Sequence, residues 1–405
     1  MHAAEVADTV THASALGIGA TLDGIDLGGV HAYKNATVER LYKGLQGLVR
    51  GHKIEVVHGT GRYGGGRTVH VGDRTITGTS LVLATGSQVR SLPGLEIGGR
   101  ILTSDEALTF PELPKRVVVL GGGVIGVEFA SIWASLGAAV TIVEALPRLV
   151  AAEDEWSSKQ LTRALRTRGI TIMTGTRFAK AVQDESTVSV TVESGDTIEA
   201  DLLLVAVGRG PRTADIGLTE NGVALDPRGF VAVDDSLRTS QPDVYAVGDI
   251  VAGPQLAHRG FQQGIFVAET IAGLSPAPVE DSGIPRVTYS NPEVASVGLT
   301  EDQARERHGD VATVVYDLAG NGKSQILGTS GGVKLVRAGA TAGPVVGIHM
   351  VGERVGELIG EAQLIVNWGA YPDEVATLVH AHPTQAEALG EAHLALAGTP
   401  LHSHS

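Results

Sequence analysis

Three stretches of this sequence hold residue types at spacings that do chemistry. In GGGVIG (121–126) the glycines Gly121, Gly123 and Gly126 occupy the positions of GxGxxG. The branched run Val117–Leu120 precedes them, and Glu144 closes the next apolar run, 23 residues after Gly121. Glycines there permit a tight turn, close approach of backbone to a pyrophosphate, and close helix–strand packing. Exposed amides and the helix dipole then hold the phosphates. A carboxylate at Glu144 accepts hydrogen bonds from ribose hydroxyls and repels a 2′-phosphate, so the expected dinucleotide is NAD rather than NADP. A glycine-rich packing turn with an ordinary surface glutamate is the competing reading.

VYAVGD (244–249) delivers Asp249 to the exit of an apolar strand, beside Gly248. A carboxylate there can bind a ribityl or ribose hydroxyl of a second nucleotide, and it can equally cap a helix. LVHAHPTQAE (378–387) is the most informative polar segment. Pro383 holds His382 extended at a turn, with a cis bond as one option. Glu387 is close enough to return to the imidazole and support its charged form, which would make His382 a proton acceptor and donor. Thr384 and Glu387 also fit a plain capping box, and His380 and His382 also fit two neighbours on one strand face. On spacing alone these two structural readings outweigh the catalytic one.

The elements that position these residues follow from periodicity. The first 16 residues read as an amphipathic helix ending at Gly17, and a second helix is expected from about Ala36 to Val49, with Val38, Leu41, Leu45 and Leu48 on one face. From Ile54 the pattern turns to strands joined by glycine turns (IEVVHGTGRY, GRTVHVGD, TITGTSLVLATGS), ending in the strand Leu81–Ala84 that stops at Gly86. A βαβ unit follows: strand Val117–Leu120, helix Val124–Leu136 burying Ile125, Phe129, Ile132 and Leu136, then strand Ala139–Val143. Helix Asp154–Arg168 and strand Ile170–Met173 continue the alternation of a parallel sheet. Next come the hairpin TVSVTVESGDTIEA and the strand LLLVAVG. That strand and LVLATG look like two copies of one device, a buried strand leading to a ligand edge. A helix is expected over 258–272 and a linker near Pro276–Pro285. Beyond it lies an α+β region with strands VATVVY, GGVKLVR and VVGIHM and helices ERVGELIGEAQLIVNW and TQAEALGEAHLAL. The tail LHSHS is expected to be disordered, its histidines solvated rather than bound to metal.

Composition sets the outer bounds. The chain has 405 residues, 43% of them hydrophobic and 19% charged, enough for two to four domains with real cores. Lys and Arg total 31 against 45 for Asp and Glu, a net charge of -14 that argues against nucleic acid or an anionic membrane as partner. There is no cysteine, so the sequence as written supplies no disulfide, thiolate ligand or thiol nucleophile. Residues 117–143 carry one charge in 27 positions, yet their five glycines favour a buried α/β unit over a membrane span. The opening residues lack a signal-peptide pattern, and a cytoplasmic location is expected.

GGGVIGVE, VGRGPRT (207–213), TSQPDVYAVGD (239–249), YSNPEVASVGLT (289–300) and HAHPTQAE, in that order, resemble the dihydrolipoyl dehydrogenases of the pyridine nucleotide–disulfide oxidoreductase family, over essentially the whole chain. The resemblance implies an α/β fold with two Rossmann-like dinucleotide-binding domains, the FAD one incomplete, and a C-terminal α+β dimerisation domain. The implied boundaries are 1–87 and 219–283 for the two parts of the FAD-binding domain, 88–218 for the NAD-binding domain, and 284–405 for the dimerisation domain. FAD is implied at Gly61, Thr85, Gly86, Ser87, Asp249, Gln255, Leu256, Ala257 and His258. NAD is implied at Gly121, Gly122, Gly123, Val124, Ile125, Gly126, Val127, Glu128, Glu144, Phe178 and Gly208. His382 paired with Glu387 matches the base that serves the partner subunit's disulfide, with Pro383 cis, so a homodimer is implied. The reductants would be lipoyl domains of 2-oxo-acid dehydrogenase complexes or of the glycine cleavage system.

Departures from the family pattern matter. MHAAEVADTVTHASALGI is similar to the stretch just beyond the family's CxxxxC pair. The first FAD glycine loop, both cysteines and the lysine that usually pairs with Glu128 are absent from this sequence, and Gly210 stands where arginine is common. A truncated or mis-started copy of an ordinary enzyme is the simplest explanation, and the chain as written is expected to be inactive. The alternative is a cysteine-free NAD-binding and dimerising module. Glutathione-reductase-like members would place arginines near Glu144 to take NADP. Mercuric reductases and soluble transhydrogenases typically lack the histidine of HAHPT.

Overall fold

The run RVVVL at Arg116–Leu120 forms the centre of a five-stranded parallel sheet in the computed structural model, which describes residues 1–402. Across the sheet the order is Ile101–Thr103, Leu202–Val205, Arg116–Leu120, Ala139–Val143 and Thr171–Met173. Both faces are covered, which is why these strands read as continuous apolar runs rather than alternating ones. Val117 and Val119 point to a cluster with Val127, Ala130 and Trp133 of helix Val124–Ser135 and Leu161 and Leu165 of helix Glu155–Thr167. Val118, Leu120, Leu203 and Val205 face the opposite way, onto Val188, Val190 and Val192 of an antiparallel layer made by Phe178–Gln183, Val188–Val192 and Thr197–Ala200. The hairpin expected from TVSVTVESGDTIEA is the last two of these strands.

Helix Val124–Ser135 corrects one expectation. Its fully buried positions are Gly126, Val127, Ala130, Ser131 and Trp133, whereas Ile125, Phe129, Ile132 and Leu136 are only half-buried. The helix is apolar nearly all round, so periodicity did not select one face. The N-terminal helix His2–His12, which buries Ala4 and Ala7 and is followed by a short turn ending at Gly17, packs on it. Asp8 ties the two together by accepting from Ser135 Oγ at 2.7 Å and from Arg168 at 3.1 Å.

The α+β region is a five-stranded antiparallel sheet in the order Arg286–Thr288, Glu293–Gly298, Val345–Gly352, Gly332–Ala338, Val311–Asp317. Helices Val355–Asn367 and Glu387–Leu396 cover it through a core of Val297, Leu335, Ile348, Ala362, Ile365 and Leu389. The first two strands went unread in the sequence because YSNP interrupts a short, uneven apolar pattern. The second helix starts at Glu387, three residues later than expected, because residues 378–386 are a loop built around the cis bond His382–Pro383. Of the expected disordered tail, His402 is described and hydrogen-bonds Glu391, Nδ1 to Oε1, at 2.8 Å, so it is anchored rather than merely solvated. Residues 403–405 lie outside the described residues.

All of these elements belong to one compact unit, residues 1–25, 91–208 and 282 onward. Residues 26–90 and 209–281 form another. The division after Asp281 falls inside the expected linker. In the second unit, Leu81–Leu83 pairs in parallel with Val244–Ala246, and Gly61–Gly65, Thr68–Val71 and Arg74–Thr77 form an antiparallel meander. Tyr63, Leu83, Leu218, Val231, Val244 and Ile250 make its core. The strand expected from Ile54 begins only at Gly61, since residues 54–58 find no ladder partner among the described residues. The second helix runs from Leu27 to Gly51 and buries none of its residues, with Val38, Leu41, Leu45 and Leu48 each more than half exposed. Among the described residues no helix is long and apolar enough to cross a membrane.

Candidate functional site

Strand Arg116–Leu120 ends at the glycine loop, and helix Val124–Ser135 leaves it with Gly123 as an N-cap that has no side chain to offer. The first amides of the helix therefore face outward for an acceptor. A Cβ at Gly126 would sit 1.9 Å from the carbonyl oxygen of Gly121, so only glycine brings the helix this close to the strand. A Cβ at Gly123 would meet nothing within 4 Å, which leaves open space on the outer side of the loop. Gly121, at φ +111°, adopts backbone that glycine tolerates. Glu144, at the end of Ala139–Val143, accepts the Gly122 amide with Oε2 and the Leu146 amide with Oε1, the latter at 2.6 Å.

The other residues of this group divide. Val124 is exposed at the helix start and Ile125 is half-buried, but Val127 is fully buried and belongs to the core. Glu128 accepts the Tyr289 amide at 2.8 Å, and burial pushes its carboxyl above the ordinary range despite that bond. Phe178 is half-buried against the Val188–Val192 layer, so packing accounts for its ring. Gly208 is exposed just beyond Leu202–Val205, at φ +107°.

In the second unit the fold brings Ser87 and Asp249, 162 positions apart, into a 2.6 Å hydrogen bond in which the hydroxyl donates. Arg209 donates to the same hydroxyl at 2.8 Å, and Thr85 Oγ1 donates to the Arg212 carbonyl at 2.7 Å beside Gly86. Asp249 lies in the short turn Gly248–Ile250 and does not cap helix Ala257–Ile271, which sets aside its capping reading. That helix starts after Leu256 without a side-chain cap, with Ala257 and His258 exposed in its first turn. Gln255 donates to the Asp249 carbonyl at 3.3 Å. Gly61 opens the first strand of the meander and is exposed.

His382 and Glu387 meet as expected. His382 Nδ1 lies 2.8 Å from Glu387 Oε1, and the Thr384 amide donates to Glu387 Oε2, also at 2.8 Å. Desolvation raises the Glu387 carboxyl, but the Thr384 amide and the imidazole outweigh it and hold it below the ordinary value. The glutamate thus completes half of a capping box while holding the histidine. The two histidines do not share a strand face. His382 is 77% exposed, whereas His380 turns inward to Glu361, Nε2 to Oε1, at 2.7 Å. Sequence reasoning missed that second pair because Glu361 lies on another helix, and it missed the cis bond Asn291–Pro292. Among the described residues no cluster of His, Cys, Asp and Glu fits a metal ion.

A family model described as pyridine nucleotide-disulphide oxidoreductase matches residues 2–264, and the dimerisation domain of the same family matches 284–393. The chain belongs to the pyridine nucleotide-disulphide oxidoreductases. Among its curated relatives, a dihydrolipoyl dehydrogenase of Geobacillus stearothermophilus is 37% identical, over 96% of this chain and 84% of that one. One from Thermus scotoductus is 36% identical, over 99% and 88%. Of the solved structures, LpdA from Mycobacterium tuberculosis superposes with a TM-score of 0.89 at 24% identity, over 98% of this chain and 88% of that one, which bears on the fold alone. The HOCl-induced flavoprotein disulfide reductase RclA of Escherichia coli gives 0.83 at 26% identity, over 96% and 89%. FAD and NAD are the cofactors of this oxidoreductase family. The α/β architecture seen here has one full parallel sheet, a second dinucleotide-type region that is incomplete, with the parallel pair Leu81–Leu83 and Val244–Ala246, and the α+β dimerisation domain.

Proposed function

We propose that the chain carries the NAD, FAD and proton-transfer parts of a dihydrolipoyl dehydrogenase, acting as a cytoplasmic homodimer on the lipoyl domains of 2-oxo-acid dehydrogenase complexes or of the glycine cleavage system. In this reading residues 88–218 bind NAD, 1–87 and 219–283 contribute to FAD binding, and 284–405 dimerise. The open loop at Gly123, the uncapped helix behind it and Glu144 fit the pyrophosphate and ribose of NAD. The Asp249–Ser87 pair and the uncapped helix after Leu256 fit a hydroxyl and a phosphate of FAD. When bound, FAD relays an electron pair between a cysteine pair and NAD.

The observation that carries the reading is the hydrogen bond between His382 and Glu387. With Nδ1–H donated to the carboxylate, Nε2 is left as the basic nitrogen, and the exposed ring presents it outward. From there it takes a thiol proton as the dithiol attacks a disulfide, and Glu387 stabilises the resulting imidazolium. The sulfur that must form the mixed disulfide is missing, because the chain has no cysteine. The chain as it stands therefore does not turn over. Its total lack of cysteine also favours a second reading, a cysteine-free module that binds NAD and dimerises.

The deciding experiment is to purify the chain, record its flavin spectrum and assay lipoamide-dependent NADH oxidation, then repeat with the family's FAD-loop and CxxxxC segment fused upstream. Activity only in the fused chain is expected. Turnover by the unextended chain overturns the account, and a fused chain that folds, retains FAD and stays inactive favours the cysteine-free module.

A further inference from the structure

A buried charged cluster joins the loop after Glu144 to the antiparallel sheet of the dimerisation domain. Asp154 caps helix Glu155–Thr167 with Oδ1, which accepts the Trp156 amide at 2.9 Å and also meets Lys334 Nζ at 2.8 Å. Its Oδ2 accepts the Glu301 amide at 2.9 Å, and Lys334 reaches Glu301 Oε2 at 2.7 Å. Next to it Glu153 meets Arg286 Nε at 3.2 Å and accepts the Ser296 hydroxyl. Asp154 is 1% exposed and Lys334 6%. Burial favours the neutral acid, yet the Glu301 amide, Lys334 and the Trp156 amide hold Asp154 below the ordinary carboxyl value. His349 is buried in the same region. Burial lowers its pKa and favours the neutral ring, whose Nε2–H donates to the Leu299 carbonyl at 2.9 Å. A buried ion pair gains little over apolar residues of the same volume, so stability alone is a weak reason to have one.

From this cluster the chain runs back to the dinucleotide loop as a strut. Val150 sits at φ +41°, a conformation strained for a β-branched residue and sustained only where its surroundings over-determine it. Its amide donates to the Gly122 carbonyl and its carbonyl accepts the Glu153 amide, both at 2.8 Å. The Arg148 guanidinium staples the carbonyls of Ala151 and Glu153, each at 2.7 Å. Leu149 is fully buried and lies so close to Gly122 that a Cβ there would be 2.4 Å from it. Gly122 is thus held by Val150 on its carbonyl side and by Glu144 on its amide side.

We propose that the Asp154–Lys334 pair is a positioning device through which the dimerisation domain sets NAD affinity, by locking residues 148–153 against Gly122. The inference rests on NAD lying at Gly121–Gly126 and Glu144. The test titrates NADH binding by fluorescence, with thermal melting in parallel. The paired substitution Asp154→Asn with Lys334→Met removes both charges and retains a capping side chain. It should melt within a few degrees of the parent and raise the NADH Kd about tenfold, while Lys334→Arg alone stays within about twofold. In a Glu144→Ala background the paired substitution should add less than about twofold, because both changes act on Gly122. A merely structural role would instead multiply the two losses.

Arg148→Met loosens the same loop without leaving a buried charge, and it decides the matter if the paired variant does not fold. A several-fold rise in Kd is expected. Unchanged Kd in a folded paired variant, or in Arg148→Met when the paired variant does not fold, overturns the inference, as does full multiplication in the Glu144→Ala background. An unmodified chain that binds no NADH overturns the NAD reading along with it.

Discussion

The carboxylate of Glu144 accepts the amide of Gly122, so the acid that would read the ribose is bonded to the loop that would cradle the pyrophosphate. A second bond, from the Leu146 amide at 2.6 Å, fixes the other oxygen. Such a carboxylate is oriented before any ligand arrives, which reduces the ordering cost of binding.

Glu144→Ala frees the Gly122 amide as well as removing the ribose acceptor, so it should weaken NAD binding about tenfold or more and reduce discrimination against NADP. Isothermal titration with both dinucleotides checks this. Tight NADP binding by the unmodified chain would sink the assignment.

Gly126→Ala places a methyl group 1.9 Å from the Gly121 carbonyl oxygen, inside backbone that has no flexible side chain to move aside. Overpacking of this kind should cost about 3 kcal/mol and displace the loop, so NAD affinity and unfolding midpoint fall together. A variant that melts normally and binds NAD normally would show that the helix can slide away from the strand.

In a chain supplied with the cysteine segment, His382→Gln should slow dithiol oxidation about a hundredfold or more while leaving flavin reduction by NADH nearly unchanged. Glu387→Gln should act in the same direction with a smaller effect, since it weakens the hold on Nδ1 without removing Nε2. Stopped-flow traces of the two half-reactions separate these outcomes, and equal slowing of both would assign His382 a structural role.

His393 supplies a pH dependence. Burial lowers its pKa from 6.5 to about 4, and its Nε2 is buried without a hydrogen-bond partner among the described residues. Between those values the unfolded chain binds the proton and the folded chain does not, so stability is full above pH 6.5 and declines as pH falls toward 4. Below the folded value this group adds no further loss. The total is roughly 3 kcal/mol. Urea melts at pH 7.5, 5.5 and 4.5 should show that His393→Leu loses less over this range than the parent, and parallel losses would count against it.

Local pattern alone made much of the fold and part of the site legible. Continuous apolar runs marked four of the five parallel strands, GGGVIG marked a strand–turn–helix junction, and HAHPTQAE brought His382 and Glu387 together, because each signal lies within one element or one turn. Tertiary structure decided the rest. The buried face of Val124–Ser135 was set by the parallel sheet beneath it together with the N-terminal helix packed on it, which no periodicity within an apolar helix encodes. Ser87 and Asp249 meet across 162 positions, and Lys334 and Asp154 across 180. Such pairs leave no spacing signature, since strand order and burial bring them together only after the loops between them have closed. His380 turned from its neighbour to Glu361 for the same reason: an inward imidazole finds its partner on whichever element packs against it.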